Sequence, residues 1–332
     1  MVACSYLSTL DDRLDVLMTS TAAPAPAVIE PWQPGQPHAE LAADVRWWLG
    51  SPLSLGLFGR LALDQVAYRP VAAAVDRSGR FQENFTDRGI RSLTYGMLML
   101  FGDEADRRFD TEELKRLHAA VKGTGNGEFA DTRFSALDPD LWKWIAVSGL
   151  NVLYRGYLAV CGRDLDAEEQ EVVYQTTRWM LSYLELPSAR AKLPETLADM
   201  ESYYDRVAEE CLADNAFLQY ADDSFDSLPV PALLPRRLQG LVAPVWKLVT
   251  PMALRVPKVL GQRHAHPKMR ELLDIRSTPV TRLEYALYLK ASQLAWRYLP
   301  RAVVLDPLAY NRYRYERLRS TYHGVQLDSF AA

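Results

Sequence analysis

Residues 136–160, ALDPDLWKWIAVSGLNVLYRGYLAV, carry the reading of the fold. Asp138 is a good N-cap, Pro139 suits the first helical turn, and a long apolar run follows. Together these mark the start of a buried helix. One stripe of that helix reads Ala146, Gly149, Leu153 and Gly156, with Ser148 beside it, among Trp, Leu, Tyr and Val. Small side chains on one helical face let a neighbour come close, and the stretch alone leaves open whether that neighbour is a helix or a flat ligand.

Outward from this helix the signals stay helical. AELAADVRWWLG ends at Gly50, and FGRLALDQVAYRPVAAAV reads as a long apolar helix bent near Pro70. RGIRSLTYGMLMLFGD ends at Gly102, and DTEELKRLHAAVKG starts from Asp110 or Thr111 as cap and stops at Gly123. DAEEQEVVYQTTRWMLSYLEL and ETLADMESYYDRVAEECLA have apolar residues at three- and four-residue spacing. Residues 228–267 are apolar and broken by proline, so short helices are expected there, and two more helices close the chain. Alternating strand-type runs are almost absent, so the fold class is all-α. Residues 1–38 read as a short helix and a Pro/Ala-rich arm, and residues 39–332 as one domain.

The chain has 332 residues, 38 Lys and Arg, 42 Asp and Glu, and a net charge of −4. That balance argues against a general nucleic-acid binder, which carries a basic excess. Cys4, Cys161 and Cys211 are too far apart for a zinc set or a disulfide framework. A reducing, cytoplasmic setting is therefore expected, with Cys161 and Cys211 as small buried residues. The N-terminus has no basic segment and is broken by Asp11, Asp12 and Asp15, unlike a signal peptide. No run reaches the roughly 18 apolar residues of a transmembrane segment, although a lipid-like substrate would allow a peripheral contact.

Few motifs stand out. The five histidines form no HExxH pattern, and His264 and His266 in RHAHP lack acidic partners in sequence, so no metal is expected. Phosphate-binding glycine motifs and the GxSxG elbow are absent, and GTGNGEF follows a helix and reads as a flexible loop. Asp222, Asp223 and Asp226 spell the DDxxD with which all-α isoprenoid synthases hold magnesium. No second metal motif follows, and Pro229 and Pro231 argue against a helix presenting it, so a solvated acidic loop is expected. In YNRYRYERLRS the tyrosines are expected to pack inward from a surface helix.

In their order, QVAYRPVAAAV, MLMLFGDEAD, LKRLHAAVKGTGNGEF, SALDPDLWKW and LPETLADMESYYDRV resemble the MpaB and latex-clearing-protein oxygenases. The tail from HPKMRELLDI to LDPLAYNRYR resembles the closing pattern of that family, so the likeness runs from about residue 45 to 318. It implies a globin-like multi-helix bundle holding haem b, and oxygen-dependent cleavage of alkene bonds in isoprenoid or other hydrophobic substrates. In the family, a Trp and a hydrophobic residue precede the histidine that ligates iron. Trp144 and Ile145 match, but the next residue is Ala146, which has no lone pair to offer. Tyr68 stands in AYRP where the family has AHP, and His118 is kept, while Glu113 and Leu117 replace the usual Arg and Thr.

The resemblance makes Tyr68 and His118 the candidate ligand or acid–base groups and Arg116 the binder of a propionate or carboxylate. Trp144, Ala146, Ser148 and Gly149 would face the cofactor or substrate. The expected function is an oxygenase-type enzyme with a polyprenyl or polyketide-like substrate. A haem-free cyclase or isomerase and a non-catalytic ligand-binding relative are the alternatives on the same scaffold.

Overall fold

The computed structural model describes Trp32, residues 35–79, Phe81 and residues 85–325. The expected short N-terminal helix, most of the arm and Cys4 lie outside the described residues. The rest is all-α apart from one small hairpin.

The first helix, α1 (Ala39–Leu49), stops at Gly50, as its sequence implies. A Cβ on Gly50 would stand 2.7 Å from that of Ala309 and 2.8 Å from the Phe101 ring, so glycine is required by the close approach. The following segment is broken rather than bent. It comprises α2 (Pro52–Phe58), a tight turn over Gly59–Ala62, α3 (Leu63–Ala67) and α4 (Arg69–Ser78). The break falls at Tyr68, whose φ of −83° and ψ of 112° are extended. Pro70 lies in the first turn of α4, where a missing N–H costs nothing.

Helix α5 (Phe85–Phe101) ends before Gly102, as expected. Helix α6 (Glu104–Ala119) begins earlier than its sequence suggests, because Asp103 caps it by accepting from the Asp106 N–H at 2.8 Å. Asp110 and Thr111 are thereby buried in mid-helix. GTGNGEF is not a loose loop. Gly123 and Thr124 belong to β1 (Lys122–Thr124), which pairs antiparallel with β2 (Arg133–Ser135) and registers Gly123 opposite Phe134.

Helix α7 (Pro139–Val160) is the helix of the opening stretch, with Asp138 accepting from the Asp140 and Leu141 N–H groups. Fourteen of its 22 residues are buried, which makes it the central helix. It packs against α2, α3, α8 (Ala167–Leu181) and α9 (Leu197–Cys211). Its Trp144 and Tyr154 are among the largest fully buried side chains, each contributing roughly 1.5–3 kcal/mol. Cys161 and Cys211 are free and half-buried rather than fully buried.

Helix α10 (Ala216–Ser224) carries Asp222 and Asp223, so a helix does present the acidic motif. Asn215 caps it by accepting from the Leu218 N–H, and it ends before the prolines begin. Residues 236–264 form one helix, α11 (Arg236–His264), in place of the expected short ones. Pro244, Pro251 and Pro257 lie inside it, each removing one backbone bond. The helix is pinned near both ends: Trp246 Nε1 donates to the Leu228 carbonyl at 2.8 Å, and Val259, Leu260 and Gly261 are buried. After α12 (Pro267–Leu272), α13 (Pro279–Tyr298) packs on α7 and α11, and α14 (Arg301–Val304) leads to α15 (Pro307–Gly324). Tyr310 and Tyr313 of α15 pack inward as expected, whereas Tyr315 and Tyr322 point outward.

Candidate functional site

The short helix α3 carries an acid inside an apolar run, LALDQVA, and the fold buries it: Asp64 has no solvent exposure. Its Oδ2 accepts from the Tyr204 hydroxyl of α9 at 2.7 Å. Its Oδ1 has no hydrogen-bond partner among the described residues. Burial outweighs the bonds from Tyr204 and the Gln65 backbone and pushes the carboxyl up to about 7. Burial, and then the neighbouring Asp64, hold the Tyr204 phenol well above its ordinary value.

Aromatic rings fix this pair. The Trp144 ring stacks on Tyr204 with centroids 5.5 Å apart, and Tyr68 meets Trp144 edge-on at 6.4 Å. Tyr204 also meets the His266 ring at 5.8 Å. The buried Trp144 Nε1 has no partner among the described residues. Next along α3, Gln65 donates to Ser148 Oγ at 2.9 Å, and Ser148 donates to the Ile145 carbonyl at 3.1 Å. Ser148 thus bridges α3 to α7 and has its hydroxyl engaged.

Of the two histidines of RHAHP, His266 lies beside Tyr204 and His264 beside Phe58 and Tyr285. His266 caps α12, its Nδ1 accepting from the Lys268 N–H at 3.1 Å. The neutral ring therefore carries its proton on Nε2, which lies 3.5 Å from Asp205. His264 shares a 3.0 Å hydrogen bond with the Tyr285 hydroxyl. Burial and the charges of Arg155 and Arg263 bring its pKa down to about 4. A narrow crevice of about 10 Å³, room for one water, is lined by Arg60, Tyr204, His266, Met269, Leu273 and Ile275 among others. Tyr204 lines this crevice, and Asp64, to which it is bonded, does not.

The acidic motif has a different role from the solvated loop its sequence suggests. The buried Arg60 pairs with Asp222 and with Asp226, the latter at 3.0 Å, and Lys258 also pairs with Asp226. These carboxylates close an ion network joining the Gly59–Ala62 turn, α10 and α11. Among the described residues, no group of three or more His, Cys, Asp or Glu is placed to hold a metal ion.

The residues singled out from sequence fall into two groups. Tyr68, Trp144 and Ala146 belong to or pack on the main core, and Ser148 lies on the same helix beside them. Arg116 and His118 lie elsewhere on α6. Arg116 is exposed and holds Glu113 through two bonds of 2.6 Å. His118 donates from Nδ1 to the Leu114 carbonyl at 2.8 Å and meets the Trp142 ring at 5.6 Å. Trp142 forms a separate small cluster with Leu186 and Ala191. The small stripe on α7 has two environments. A Cβ on Gly156 would meet the Phe58 ring at 3.0 Å, whereas one on Gly149 would meet nothing within 4 Å.

This geometry tests the haem that the resemblance implies. An axial ligand needs an imidazole, thiolate, thioether or phenolate donor. Around position 146, α7 presents the methyl of Ala146, Val147, the engaged Ser148 hydroxyl and Gly149. Helix α7 itself therefore offers no iron ligand there; the Tyr68 phenol packs against Trp144, and His118 packs with the other cluster.

Asp64, Tyr204 and Arg60 were not found by motif reading. The signal available was an acid within LALDQVAY, since a carboxylate is almost never fully buried without a partner. Its partner lies 140 positions away.

No curated protein and no solved structure matches the chain. The family model described as "ER-bound oxygenase mpaB/B'/Rubber oxygenase, catalytic domain" matches residues 45–294, most of the chain. Its span contains α7, Asp64, Tyr204 and both histidines of RHAHP, and it agrees with the family read from the ordered segments. The chain belongs to the MpaB/rubber oxygenase catalytic-domain family.

Proposed function

We propose that this MpaB-type domain takes a hydrophobic small molecule, polyprenyl or polyketide-like, at the crevice beside Tyr204 and His266, which widens to admit it. Its chemistry is acid–base, of the isomerase or cyclase type, carried by Asp64 and Tyr204. The observation supporting this is a fully buried carboxyl with a pKa of about 7, bonded to a tyrosine that lines the crevice. A group that titrates near the working pH both accepts and returns a proton efficiently. When Asp64 is protonated and donates to the Tyr204 oxygen, the phenol proton of Tyr204 is released to bond a substrate oxygen. Trp144 and Tyr68 form the wall behind Tyr204, and the unpartnered Trp144 Nε1 is a further donor.

The second reading is the oxygen chemistry of the family, favoured by the match over residues 45–294. It requires His118 or Tyr68 to replace the ligand missing at Ala146, with Arg116 serving a propionate. Two measurements on the purified full chain separate the readings: an absorption spectrum after haem addition, and product analysis with linear polyenes with and without oxygen. The acid–base reading expects no Soret band, turnover in the absence of oxygen, and loss of turnover in a folded Asp64→Asn variant. A Soret band altered by His118→Ala or Tyr68→Phe, with products formed only under oxygen, overturns it in favour of the second. Binding of polyenes without turnover under either atmosphere marks a ligand-binding relative.

A further inference from the structure

Helix α11 leaves one apolar face without cover among the described residues. Leu238, Leu241, Val245, Leu248, Val249 and Met252 follow three- and four-residue spacing and so share one side of the helix. Leu241, Leu248 and Met252 are 75%, 74% and 75% exposed. The helix is held to the protein by other positions, through the Trp246 bond to Leu228 and the buried Val259 and Leu260. An exposed apolar row of this length on a folded domain marks an interaction surface.

Charge identifies the partner. Residues 236–264 contain six Lys and Arg and no Asp or Glu, in a chain whose net charge is −4. Arg255 pairs with Glu284, and Lys258 with Asp226. Arg236, Arg237 and Lys247 are exposed and make no ion pair among the described residues. The basic character continues along the chain: residues 236–325 hold 17 Lys and Arg against 5 Asp and Glu. A symmetric contact between two copies through this face would press two acid-free cationic helices together, which like-charge repulsion opposes.

We propose that α11 docks the protein on an anionic lipid bilayer, lying in the interface. Leu241, Val245, Leu248 and Met252 enter the acyl boundary and Arg237 beside them reaches the headgroups, while Arg236 and Lys247 on the other side of the helix add to its positive field. An amphipathic helix that combines an apolar face with Lys and Arg binds in this way, and its basic residues act only near an anionic surface. Among the described residues no helix is long and apolar enough to cross a membrane, in keeping with docking on the surface. The inference is independent of the chemistry proposed for the crevice.

The test is co-sedimentation of the full chain with vesicles of phosphatidylcholine alone and of phosphatidylcholine mixed with phosphatidylserine. Binding is expected to the mixed vesicles and to weaken as salt is raised. A Leu241→Ser/Leu248→Ser/Met252→Ser variant and an Arg236→Gln/Arg237→Gln/Lys247→Gln variant should each bind about tenfold more weakly or worse. Both variants alter exposed side chains, and unchanged helical circular dichroism and melting verify the fold. Absence of sedimentation with the mixed vesicles overturns the proposal, whether residues 1–31 or a second copy covers the face instead. Equal binding by wild type and the serine variant also overturns it.

Discussion

The Tyr204 hydroxyl donates to Asp64 Oδ2 at 2.7 Å, while the other oxygen of that buried carboxyl has no partner among the described residues. The bonds from Tyr204 and the Gln65 backbone are too little to offset the loss of water around a full charge, so Asp64 takes up a proton near neutrality. The arrangement is unstable as a structural tie at alkaline pH and useful as a proton-transfer group at pH 7.

Asp64 should make stability fall with rising pH. Its folded pKa of about 7 lies above the unfolded carboxylate value, so the folded state binds the extra proton between about pH 4 and 7. The contribution is fully present below about pH 4 and is lost as pH rises through about 7. Asp64→Asn keeps an acceptor for Tyr204 and removes this loss. Denaturant titrations should show the variant gaining on wild type from pH 5 to pH 8 by a few kcal/mol. A constant difference across that range contradicts the buried acid.

His264 acts in the opposite direction. Its pKa of about 4 lies below the unfolded imidazole value, so the unfolded state binds more protons between about pH 4 and 6.5. Stability is lost as pH falls through that window. His264→Gln should therefore be less acid-sensitive than wild type when melting is followed from pH 7 to pH 4.5. An unchanged acid limb indicates that the fold does not lower the His264 pKa.

Tyr204→Phe removes the hydroxyl that bonds Asp64 Oδ2 and leaves the carboxyl only the Gln65 backbone among the described residues. A loss of about 1–3 kcal/mol is expected above pH 8, and less at pH 5, where the acid is neutral. In the acid–base reading the same variant lowers kcat and moves the pH–rate profile upward. A change in KM alone assigns Tyr204 to packing.

The two glycines of α7 should respond in opposite directions to alanine. At Gly149 the added methyl meets open space, so Gly149→Ala should stabilise by about 0.5–1 kcal/mol through helix propensity. At Gly156 it meets the buried Phe58 ring at 3.0 Å, so Gly156→Ala should destabilise by about 1–3 kcal/mol through overpacking. Thermal melts of the two variants give the comparison. Stabilisation by both rules out the close approach at Gly156.

Arg60→Gln should cost about 3–5 kcal/mol, because it strips Asp222 and Asp226 of the buried cation that offsets their charge. Magnesium should leave the wild-type melting temperature unchanged, since these carboxylates serve Arg60 and Lys258. A clear rise in melting temperature with magnesium restores the metal-binding reading of DDxxD.

Much of the secondary structure was legible because its causes are local. Asp138, Pro139 and Gly50 mark helix ends through bonds and dihedrals within a few residues, and three- and four-residue spacing identifies the helices between them. The acid-free run of residues 236–264 and the match of ordered segments to a family are likewise properties of the linear chain. Local signals failed where distant packing overrode them. Residues 236–264 run through three prolines as one helix pinned at Trp246 and Leu260, and Asp222 is drawn to an arginine 162 positions earlier.

By itself, the sequence determined an all-α chain of one family, with Ala146 following the Trp144–Ile145 pair. Only the tertiary structure decided that Asp64 meets Tyr204 in a fully buried position, that Gly156 faces a ring and Gly149 open space, and that α11 keeps an apolar side uncovered among the described residues. A carboxyl's pKa and a glycine's necessity depend on which atoms surround them, and those atoms come from segments far away in the chain. Periodicity shows that a helix has an apolar face; packing alone determines whether anything covers it.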